Sequence, residues 1–455
     1  MKNCFFTILI FTATVFADTY PDQHFEYRDI KDLFDNAVEI ENIVFNNVDE
    51  AIQLAEDATT GSIIFASDSA DYPFNEGLPS WNGFAPRQEQ SAFAVQMRFP
   101  YGNGWSPWVT VGFWKDFIWS SYGNTSWNGG KVNIDEVELF SYVNKWQFKI
   151  LMKRSNTSLA TPKINKLSFF ASDSRTTGAF DLLTVLGDNP EPIFINTEFY
   201  YQYGLDEEIG GSICSPTSVA MILRSYDIEV EPVQFARDTK DPKYGIFGVW
   251  PRVVQNASEF GLDGAVTRYR NWSEPREVLA NGGRIAISVG QPLYTGHLMM
   301  LAGFTDNGKP IIHDPAQSDG YSYIFDKSAL SRSWFEKGGV SYTFYLKDSL
   351  PVTSIDQQYE GKPEKLSILS NYPNPFNGIT KIKFILDKQQ AVSISVYDIR
   401  GNCVFDRQYS QLDKGIHTLT WNPEESQGEK LSTGIYVARF KTENNRYSTN
   451  MIYLK

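Results

Sequence analysis

A cysteine near the middle of the chain stands where a thiol is expected to be reactive. Cys214 lies in the stretch GGSICSPTSVAMIL, residues 210–223, after a glycine pair and two residues before Pro216. Apolar residues then recur at helical spacing, and proline is favoured in a first turn, so we predict a helix that begins at the cysteine. A helix N-terminus favours thiolate over thiol. A lone cysteine is also often an inert buried residue, so this stretch alone leaves both interpretations open.

A cysteine nucleophile needs a base, and the chain has few candidates for one. Its histidines are His24, His297, His313 and His417. Two share a region with Cys214: His297 opens an apolar strand, and His313 ends the next strand directly before Asp314. Because successive residues of a strand face opposite sides, His313 and Asp314 are not expected to face the thiol together. We predict His297 as the base, with Asp314 beside it across the hairpin; a structural histidine and an ordinary turn aspartate are the alternatives.

Composition limits the classes of partner. The 455 residues carry a formal net charge of −13. An acidic surface argues against nucleic acids and anionic membranes as partners, and a plain soluble surface is the simpler explanation. No run after the N-terminus is long and apolar enough to predict a membrane span. No pattern resembles a metal cluster, a phosphate-binding glycine loop or a nucleic-acid module, so no cofactor and no metal are predicted.

Residues 1–17, MKNCFFTILIFTATVFA, have the pattern of a secretory signal peptide. A positive charge comes first, an apolar stretch follows, and small residues end the segment at a cleavage site. Its removal takes Cys4 away and leaves Cys214 and Cys403, which we expect in different domains and unpaired. Secreted proteins usually use cysteine in disulfides, so a lone thiol at a predicted helix start favours a chemical role.

Residues 18–175 are predicted to form an aromatic-rich accessory β-sandwich. Apolar residues alternate with period two in several short stretches that Gly, Asn and Ser separate. Within this region, residues 48–57 (VDEAIQLAED) are predicted as a short helix. Seven of the chain's eleven tryptophans lie between Trp81 and Trp146. Most are expected to fill the core, and the excess predicts an exposed aromatic patch that binds a glycan or a peptide.

Residues 190–347 show helical patterns first and strand patterns afterwards, which is typical of an α+β domain. The predicted strands are 284–289, 297–304, 309–313, 321–325 and 340–346. Charged residues with Pro and Gly predict a linker at 348–367. Residues 368–455 return to short strands and are predicted to form an immunoglobulin-like β-sandwich. The chain is therefore expected to be multidomain.

Three blocks of the α+β region resemble cysteine peptidase family 39, which is related to bacteriocin-processing endopeptidases and belongs to the papain clan. They are GGSICSPTSVAMILRSY, YGIFGVWPRVVQNASEFGL and GHLMMLAGFTDNGKPIIHDPA, in the family's order, within about residues 199–346. The resemblance implies a papain-like cysteine peptidase domain. It also implies that Cys214 is the nucleophile, His297 the general base and Asp314 the group that orients the base.

Members of this family also carry a glutamine before the cysteine that helps to hold the oxyanion. The resemblance assigns this role to Gln202, although its spacing from Cys214 is longer than is usual for papain-like enzymes. Glu208 lies nearer the usual spacing, but a carboxylate would repel a developing oxyanion. The bacteriocin-processing members are fused to membrane transporters, so their substrate does not carry over to this chain.

The segment YPNPFN, residues 372–377, resembles the opening of type IX secretion sorting domains. The blocks VSISVYDIRGNCV, KGIHTLTWN, LSTGIYVARF and MIYLK continue that resemblance through residues 368–455. It implies that the type IX secretion machinery is a partner and that the protein passes the periplasm and outer membrane. An adhesive sandwich with a chance proline motif is the alternative. The N-terminal sandwich is similar to domains that often precede such peptidase domains.

These patterns together predict a secreted or surface-bound cysteine peptidase. We expect it to hydrolyse a peptide or protein substrate through a Cys-His-Asp triad and a thioester acyl-enzyme. One alternative is a papain-clan amidase that acts on cell-wall peptides, because it would use the same thiol chemistry. The other is a surface-binding protein whose peptidase-like domain is inactive. The complete set of Cys214, His297 and Asp314 weighs against inactivity.

Overall fold

The computed structural model is multidomain and consists mostly of β-strands, in two compact units, residues 1–350 and 351–455. The described residues are 19–85, 90–114, 123–347, 367–372, 376–386, 388–398, 400, 402–413, 415–423, 431–442 and 446–453. The predicted signal peptide lies outside them, as do residues 348–366 of the predicted linker.

The N-terminal part of the first unit is built on a continuous antiparallel sheet. Its elements are β1 Gln23–Tyr27, α1 Ile30–Asp35, β2 Glu39–Glu41, β3 Ile43–Asn46, β4 Ala51–Leu54, β5 Thr60–Ile64, β6 Asp68–Phe84, β7 Ser91–Arg98, β8 Pro100–Tyr101, β9 Gly104–Trp105, β10 Val109–Trp114, β11 Ser126–Trp127, β12 Gly130–Asn133, β13 Glu136–Arg154 and β14 Lys163–Ser172. The sheet runs β10-β7-β13-β6-β14-β4-β3. The long strand β13 joins its two parts, because residues 137–146 pair with β6 and residues 147–154 pair with β7.

The tryptophans of this part divide between the core and the surface. The fully buried ones are Trp81, Trp114 and Trp146. The partly buried ones are Trp105, Trp108 and Trp127, and Trp119 lies outside the described residues. The Arg98 guanidinium lies 5.2 Å from the ring centroid of Trp105 and 4.4 Å from that of Trp108. One face of each of these two rings is therefore already covered by a cation.

One local prediction for this part is wrong. Residues 48–57, expected as a short helix, contain strand β4 instead. This strand pairs with β3 and with β14, and its Ile52 and Leu54 are fully buried. Pairing with two neighbouring strands and burial of these side chains outweigh the helix propensity of the segment.

The central part of the first unit packs helices against a second antiparallel sheet. Its elements, with two short connecting helices first, are α2 Ser174–Gly178, α3 Leu182–Gly187, β15 Ile193–Phe194, α4 Gln202–Leu205, α5 Cys214–Arg224, α6 Pro232–Thr239, α7 Trp250–Ser258, β16 Leu262–Arg268, α8 Ser273–Ala280, β17 Arg284–Val289, β18 His297–Phe304, β19 Pro310–His313, α9 Lys327–Phe335 and β20 Val340–Leu346. The sheet runs β15-β18-β17-β20-β16, and β19 pairs with β18. Helix α5 packs against β18 and β17, and β18 is buried along its whole length.

Strand patterns in the sequence identify much of this sheet. The predicted strands at 284–289, 297–304 and 340–346 have the bounds of β17, β18 and β20. The predicted strand at 321–325 contributes only an isolated bridge between Tyr323 and Ile312. Apolar patterns in the sequence therefore locate the core strands of this sheet well.

Buried contacts join the two parts of the first unit. Asn82 of β6 exchanges two hydrogen bonds with the backbone of Gly264 in β16, at 2.9 and 3.0 Å. Leu78 and Phe170 of the N-terminal part belong to the hydrophobic core of the central part. The two parts therefore share an apolar interior as well as a polar seam.

The second unit encloses one core between two sheets. Its strands are β21 Ser367–Tyr372, β22 Thr380–Leu386, β23 Gln390–Asp398, β24 Cys403–Leu412, β25 Gly415–Trp421, β26 Gly434–Lys441 and β27 Arg446–Tyr453. One sheet runs β21-β22-β25 and the other β24-β23-β26-β27. The core takes Phe384 and Trp421 from the first sheet and Phe440 from the second. Residues 373–375 of the YPNPFN motif lie outside the described residues, and Phe376 is buried in this core.

Candidate active site

Cys214 is the first residue of α5 and is partly buried. The Ser218 hydroxyl, one turn further along α5, donates a hydrogen bond to the carbonyl of Leu298 at 3.0 Å. Leu298 is the second residue of β18, and His297 is the first. This bond fixes the start of the helix against the start of the strand, so the thiol is held beside His297.

His297 contacts both Cys214 and Asp314. Its Nε2 lies 2.7 Å from Asp314 Oδ1, and its ring is close enough to Cys214 for each group to shift the other's pKa. Because the carboxylate occupies Nε2, Nδ1 is the ring nitrogen left for the thiol. His297 is 5% exposed and Asp314 is fully buried. Three of the four predicted site residues, Cys214, His297 and Asp314, are therefore neighbours in the structure.

Asp314 directly follows β19, which pairs with β18 as an antiparallel hairpin. Its Oδ1 also accepts a hydrogen bond from the Ala316 N–H at 3.0 Å. Its own N–H donates to the Gly320 carbonyl at 2.9 Å, which closes the turn after the strand. A Cβ on Gly320 would lie 2.1 Å from the Asp314 carbonyl oxygen, so the close approach requires glycine. This turn fixes the direction of the carboxylate.

Tyr294, three residues before His297, is a contact that sequence reasoning missed. Its hydroxyl donates a hydrogen bond to Asp314 Oδ2 at 2.5 Å, and its ring centroid lies 4.3 Å from that of His297. Gln317 Nε2 donates to the Tyr294 hydroxyl at 3.2 Å. Both carboxylate oxygens of Asp314 therefore have donors. An aromatic residue near a histidine is the only signal in the sequence, and that signal does not specify the contact.

The charges of the contacting groups shift one another's pKa values. Burial opposes the charge on His297, but its hydrogen bonds to Asp314 and Cys214 outweigh burial and raise its pKa to about 9. Burial likewise opposes ionisation of the Cys214 thiol, yet the hydrogen bond and charge of His297 bring its pKa below the ordinary value. These two shifts favour a thiolate–imidazolium pair at neutral pH.

His313, the other histidine of this region, has a different environment. Its ring stacks on Tyr321 with centroids 4.5 Å apart. Its Nε2 lies 3.3 Å from the carbonyl oxygen of Ile195, and its Nδ1 accepts a hydrogen bond from the Ser322 N–H at 3.0 Å. Burial lowers the pKa of His313 to about 4. Both ring nitrogens are engaged with the backbone, so the geometry favours His297 as the partner of the thiol.

Gln202 is 2% exposed and lies close to the same site. Its backbone N–H donates to the Pro315 carbonyl at 2.9 Å, and its Nε2 donates to the Gly210 carbonyl at 2.7 Å. Its Oε1 has no partner among the described residues. From Gln202 to Cys214 the chain forms the short helix α4 and then a 3₁₀ turn at Gly210–Ser212. Glu208, the other residue considered, is exposed.

The arrangement brings a thiol, an imidazole and a buried carboxylate together. Cys214 and Cys403 are both free thiols, and Cys403 is exposed in the second unit. Among the residues that the structure describes, no group of three or more His, Cys, Asp and Glu could hold a metal ion. Nor is any helix there long and apolar enough to cross a membrane.

Three family models match the chain. Residues 194–342 match the Peptidase C39-like family, and residues 42–172 match a Peptidase C39 N-terminal domain. Residues 370–454 match a secretion system C-terminal sorting domain. No curated protein matches the chain.

Likenesses among solved structures are weak. PorZ, a surface component of the type IX secretion system of Porphyromonas gingivalis, is 13% identical over 35% of this chain and 21% of its own, with a TM-score of 0.15. A β-glucuronidase of Parabacteroides merdae is 14% identical over 38% and 26%, with a TM-score of 0.16. Latent PorU of Porphyromonas gingivalis is 9% identical over 87% and 31%, with a TM-score of 0.18. The chain thus spans less than a third of each of these proteins, and the likenesses carry no argument about its function.

The family models confirm the resemblances that the sequence motifs carry. The sorting domain indicates export by type IX secretion to the cell surface or the medium. The chain is therefore an exported protein whose successive regions match a Peptidase C39 N-terminal domain, the Peptidase C39-like family and a secretion system sorting domain.

Proposed function

We propose that the chain is a cysteine peptidase that hydrolyses peptide bonds through Cys214, His297 and Asp314. The observation that carries the proposal is the distance of 2.7 Å between His297 Nε2 and Asp314 Oδ1, beside a thiol whose pKa His297 lowers. The lowered pKa of the thiol supports a thiolate nucleophile. In this proposal the central domain is papain-like and the second unit is an immunoglobulin-like sandwich.

The chemistry is a two-step acyl transfer. The Cys214 thiolate attacks the carbonyl carbon of the substrate and forms a C–S bond. The C–N bond then breaks, and the leaving amine takes the proton that His297 carries. A water molecule gives a proton to His297 and attacks the thioester carbon, and cleavage of the C–S bond restores the thiolate. Asp314 stabilises the imidazolium and holds the ring in place throughout.

Gln202 is the proposed side-chain donor for the oxyanion. One N–H of its amide binds the Gly210 carbonyl, and the other is left to face a substrate oxygen. The backbone N–H of Cys214 is the proposed second donor. We expect Gln202→Ala to lower kcat by about 10²–10³, the usual effect of losing one oxyanion donor. Glu208→Ala is the matched control and should leave kcat unchanged, since Glu208 is exposed; an unchanged kcat for Gln202→Ala would show that the assignment is wrong.

The decisive experiment measures turnover and thiol reactivity in the full chain. A mixed peptide library and cell-wall peptide fragments are digested with the wild type and with Cys214→Ala, and products are identified by mass spectrometry. Iodoacetamide labelling near neutral pH should modify Cys214 much faster than an ordinary thiol of pKa about 8.5. The exposed Cys403 serves as the internal reference. The proposal fails if Cys214→Ala retains cleavage or if Cys214 labels only above the ordinary thiol pKa.

The two alternative functions give different results in the same experiment. An amidase of the papain clan would release products from the cell-wall fragments and leave the peptide library intact. A surface-binding protein without activity would cleave neither, and Cys214 would be unreactive. Cleavage of library peptides that depends on Cys214 supports the peptidase.

A ligand of the N-terminal domain is a separate proposal. A pocket of about 390 Å³ is lined by Tyr20, Pro73, Tyr142, Val143, Asn144 and Arg175. The Arg175 guanidinium lies 5.7 Å from the ring centroid of Tyr20 and 4.9 Å from that of Tyr142, so this pocket offers cationic and amide donors beside aromatic edges to the hydroxyl groups of a glycan or the backbone of a peptide. Titration of the full chain with soluble glycans and peptides should show saturable binding that Tyr142→Ala removes. Equal binding by wild type and variant would exclude this pocket.

A further inference from the structure

Helix α7 of the central domain begins against the N-terminal domain. Val249, the residue before the helix, has an apolar side chain that cannot cap it. Instead Asp135, between β12 and β13, accepts a hydrogen bond from the Trp250 N–H at 2.8 Å. Asp135 is 8% exposed. A carboxylate at this end of a helix satisfies a free N–H group and complements the helix dipole.

A second contact in the first turn of α7 reaches the same domain. Arg252 is 3% exposed, and its guanidinium donates to the carbonyl of Phe113 in β10 at 3.0 Å. It also donates to the carbonyls of Thr239 and Lys240, at the end of α6, at 3.1 and 2.9 Å. One buried side chain thus ties α6 and α7 to a strand of the N-terminal domain.

The segment between α6 and α7, residues 240–249, packs against both neighbours of Cys214. Phe247 is buried in a small apolar cluster with Ile213, the residue before the cysteine. Gly248 lies against Ser215, the residue after it, because a Cβ on Gly248 would be 3.2 Å from the Ser215 Cβ. Contacts with the N-terminal domain therefore hold the two ends of a segment that borders the thiol on both sides.

We propose that the N-terminal domain is a working part of the active site, and that Asp135 is a positioning residue that acts on Cys214 through Trp250 and residues 240–249. This inference rests on the proposed peptidase function and deepens it. Asp135 does not touch the thiol. It sets where the 240–249 segment lies, and that segment sets the positions of Ile213 and Ser215 around the nucleophile. A small displacement of a nucleophile slows catalysis strongly.

The test compares variants of the full chain that weaken the contact between the domains at two places. Asp135→Ala removes the acceptor for Trp250, and Asp135→Asn keeps a carbonyl oxygen there. Burial raises the pKa of Asp135 to about 7, so a neutral amide is well suited to this position. Asn82→Ala is the matched control, because Asn82 binds Gly264 in β16, at the edge of the sheet away from β18. Steady-state kcat, KM, Tm and the rate of Cys214 alkylation are measured for each.

We expect Asp135→Ala to lower kcat/KM by roughly tenfold to a hundredfold, mainly through kcat, and to slow alkylation of Cys214. Asp135→Asn should recover most of both rates. Asn82→Ala should lower Tm and leave kcat and the alkylation rate near those of the wild type. If Asp135→Ala does not fold, Arg252→Lys replaces it, since lysine cannot bind the three carbonyls as the guanidinium fork does.

Two results would overturn the inference. One is wild-type kinetics and alkylation in folded Asp135→Ala; the other is an equal loss of kcat and alkylation rate in Asn82→Ala, which would show a general effect of stability. Failure of the proposed function has a different signature, namely a wild type without turnover that depends on Cys214. In that case the alkylation rates of Cys214 in the wild type, Asp135→Ala and Asn82→Ala still decide whether the N-terminal domain acts on the thiol.

Discussion

His297 and His313 lie on paired strands of one hairpin, yet their surroundings give them opposite acid–base behaviour. Both are buried, at 5% and 0% exposure. The carboxylate of Asp314 and the thiol of Cys214 raise the pKa of His297 to about 9. Burial among Tyr321 and backbone groups lowers that of His313 to about 4. The strands place both rings, and the groups next to each ring decide whether it carries a charge.

The alternation of side chains explains how one hairpin produces both environments. His313 and Asp314 are consecutive, so their side chains point to opposite sides. Asp314 reaches His297, and His313 turns towards Tyr321 and Ser322. If the pairing of β19 with β18 were shifted by one residue, His313 and Asp314 would exchange sides of the sheet, and the Asp314 carboxylate would be separated from the His297 imidazole.

The largest expected effect is that of His297→Ala, which removes the proposed proton carrier. We expect kcat/KM to fall by about 10³ or more, because general acid–base catalysis and formation of the thiolate both depend on the ring. Steady-state kinetics with the peptide substrate measures the loss. If His313→Phe lost as much activity as His297→Ala, the distinction between the two histidines would be wrong.

The next effect separates the charge of Asp314 from its geometry. Asp314→Asn keeps an oxygen that accepts the His297 N–H but removes the negative charge that raises the imidazole pKa. We expect kcat/KM to fall roughly a hundredfold. The loss of activity at high pH, expected near pH 9 where His297 gives up its proton, should move to lower pH. A pH profile of kcat/KM checks this. If the fall of kcat/KM at high pH, the basic limb of the profile, stays at the same pH in Asp314→Asn, a group other than His297 causes it.

A smaller effect is expected for Tyr294→Phe, which keeps the ring against His297 and removes the hydroxyl bond to Asp314. The loss of one hydrogen bond, about 1 kcal/mol, corresponds to roughly a fivefold fall in kcat. The basic limb should stay near pH 9, because the Asp314 charge remains. Kinetics below the Tm of both proteins separates this from a general loss of stability. Unchanged kcat would mean that Tyr294 only fills space.

The smallest effect on activity is expected for His313→Phe, whose consequence is for stability. The variant keeps a flat ring beside Tyr321 but loses the acceptor for the Ser322 N–H, at a cost of about 1–3 kcal/mol. The folded-state pKa of His313 lies below the ordinary 6.5, so the unfolded chain binds protons more readily between pH 6.5 and 4. The free energy of unfolding of the wild type therefore falls as the pH drops through this window. The variant lacks this histidine, so its free energy of unfolding should fall less over the same window. Denaturant titrations at pH 7 and pH 5 measure both; equal acid sensitivity in the two proteins would contradict this account.

Local sequence patterns predict the placement of the central residues of the site. The glycine pair, Pro216 and the apolar spacing predict a helix start at Cys214, where α5 begins. The scarcity of histidines and the alternation along a strand select His297, although its catalytic role stays a proposal. Both inferences use neighbours in sequence, and the hairpin keeps sequence neighbours close in space.

Contacts between distant segments could not be predicted in this way. The amide of Gln202 binds the Gly210 carbonyl, four residues before Cys214, and spacing alone does not reveal this contact. Tyr294 reaches Asp314 through the path of the segment before β18. The bond from Trp250 to Asp135 joins residues of two domains, and no local pattern marks either residue as a contact. Residues 48–57 show the same limit, because strand pairing rather than propensity decided their structure.

The apolar interior shared by the N-terminal and central domains has a consequence for how the chain folds. Leu78 and Phe170 belong to the core of the central domain, so the border between the two matched families runs through a core rather than along a surface. Residues 19–347 should therefore melt in one cooperative transition, and a fragment without the N-terminal domain would expose part of its own interior. Domain shuffling in evolution that separated the pair would remove Leu78 and Phe170 from the core of the central domain.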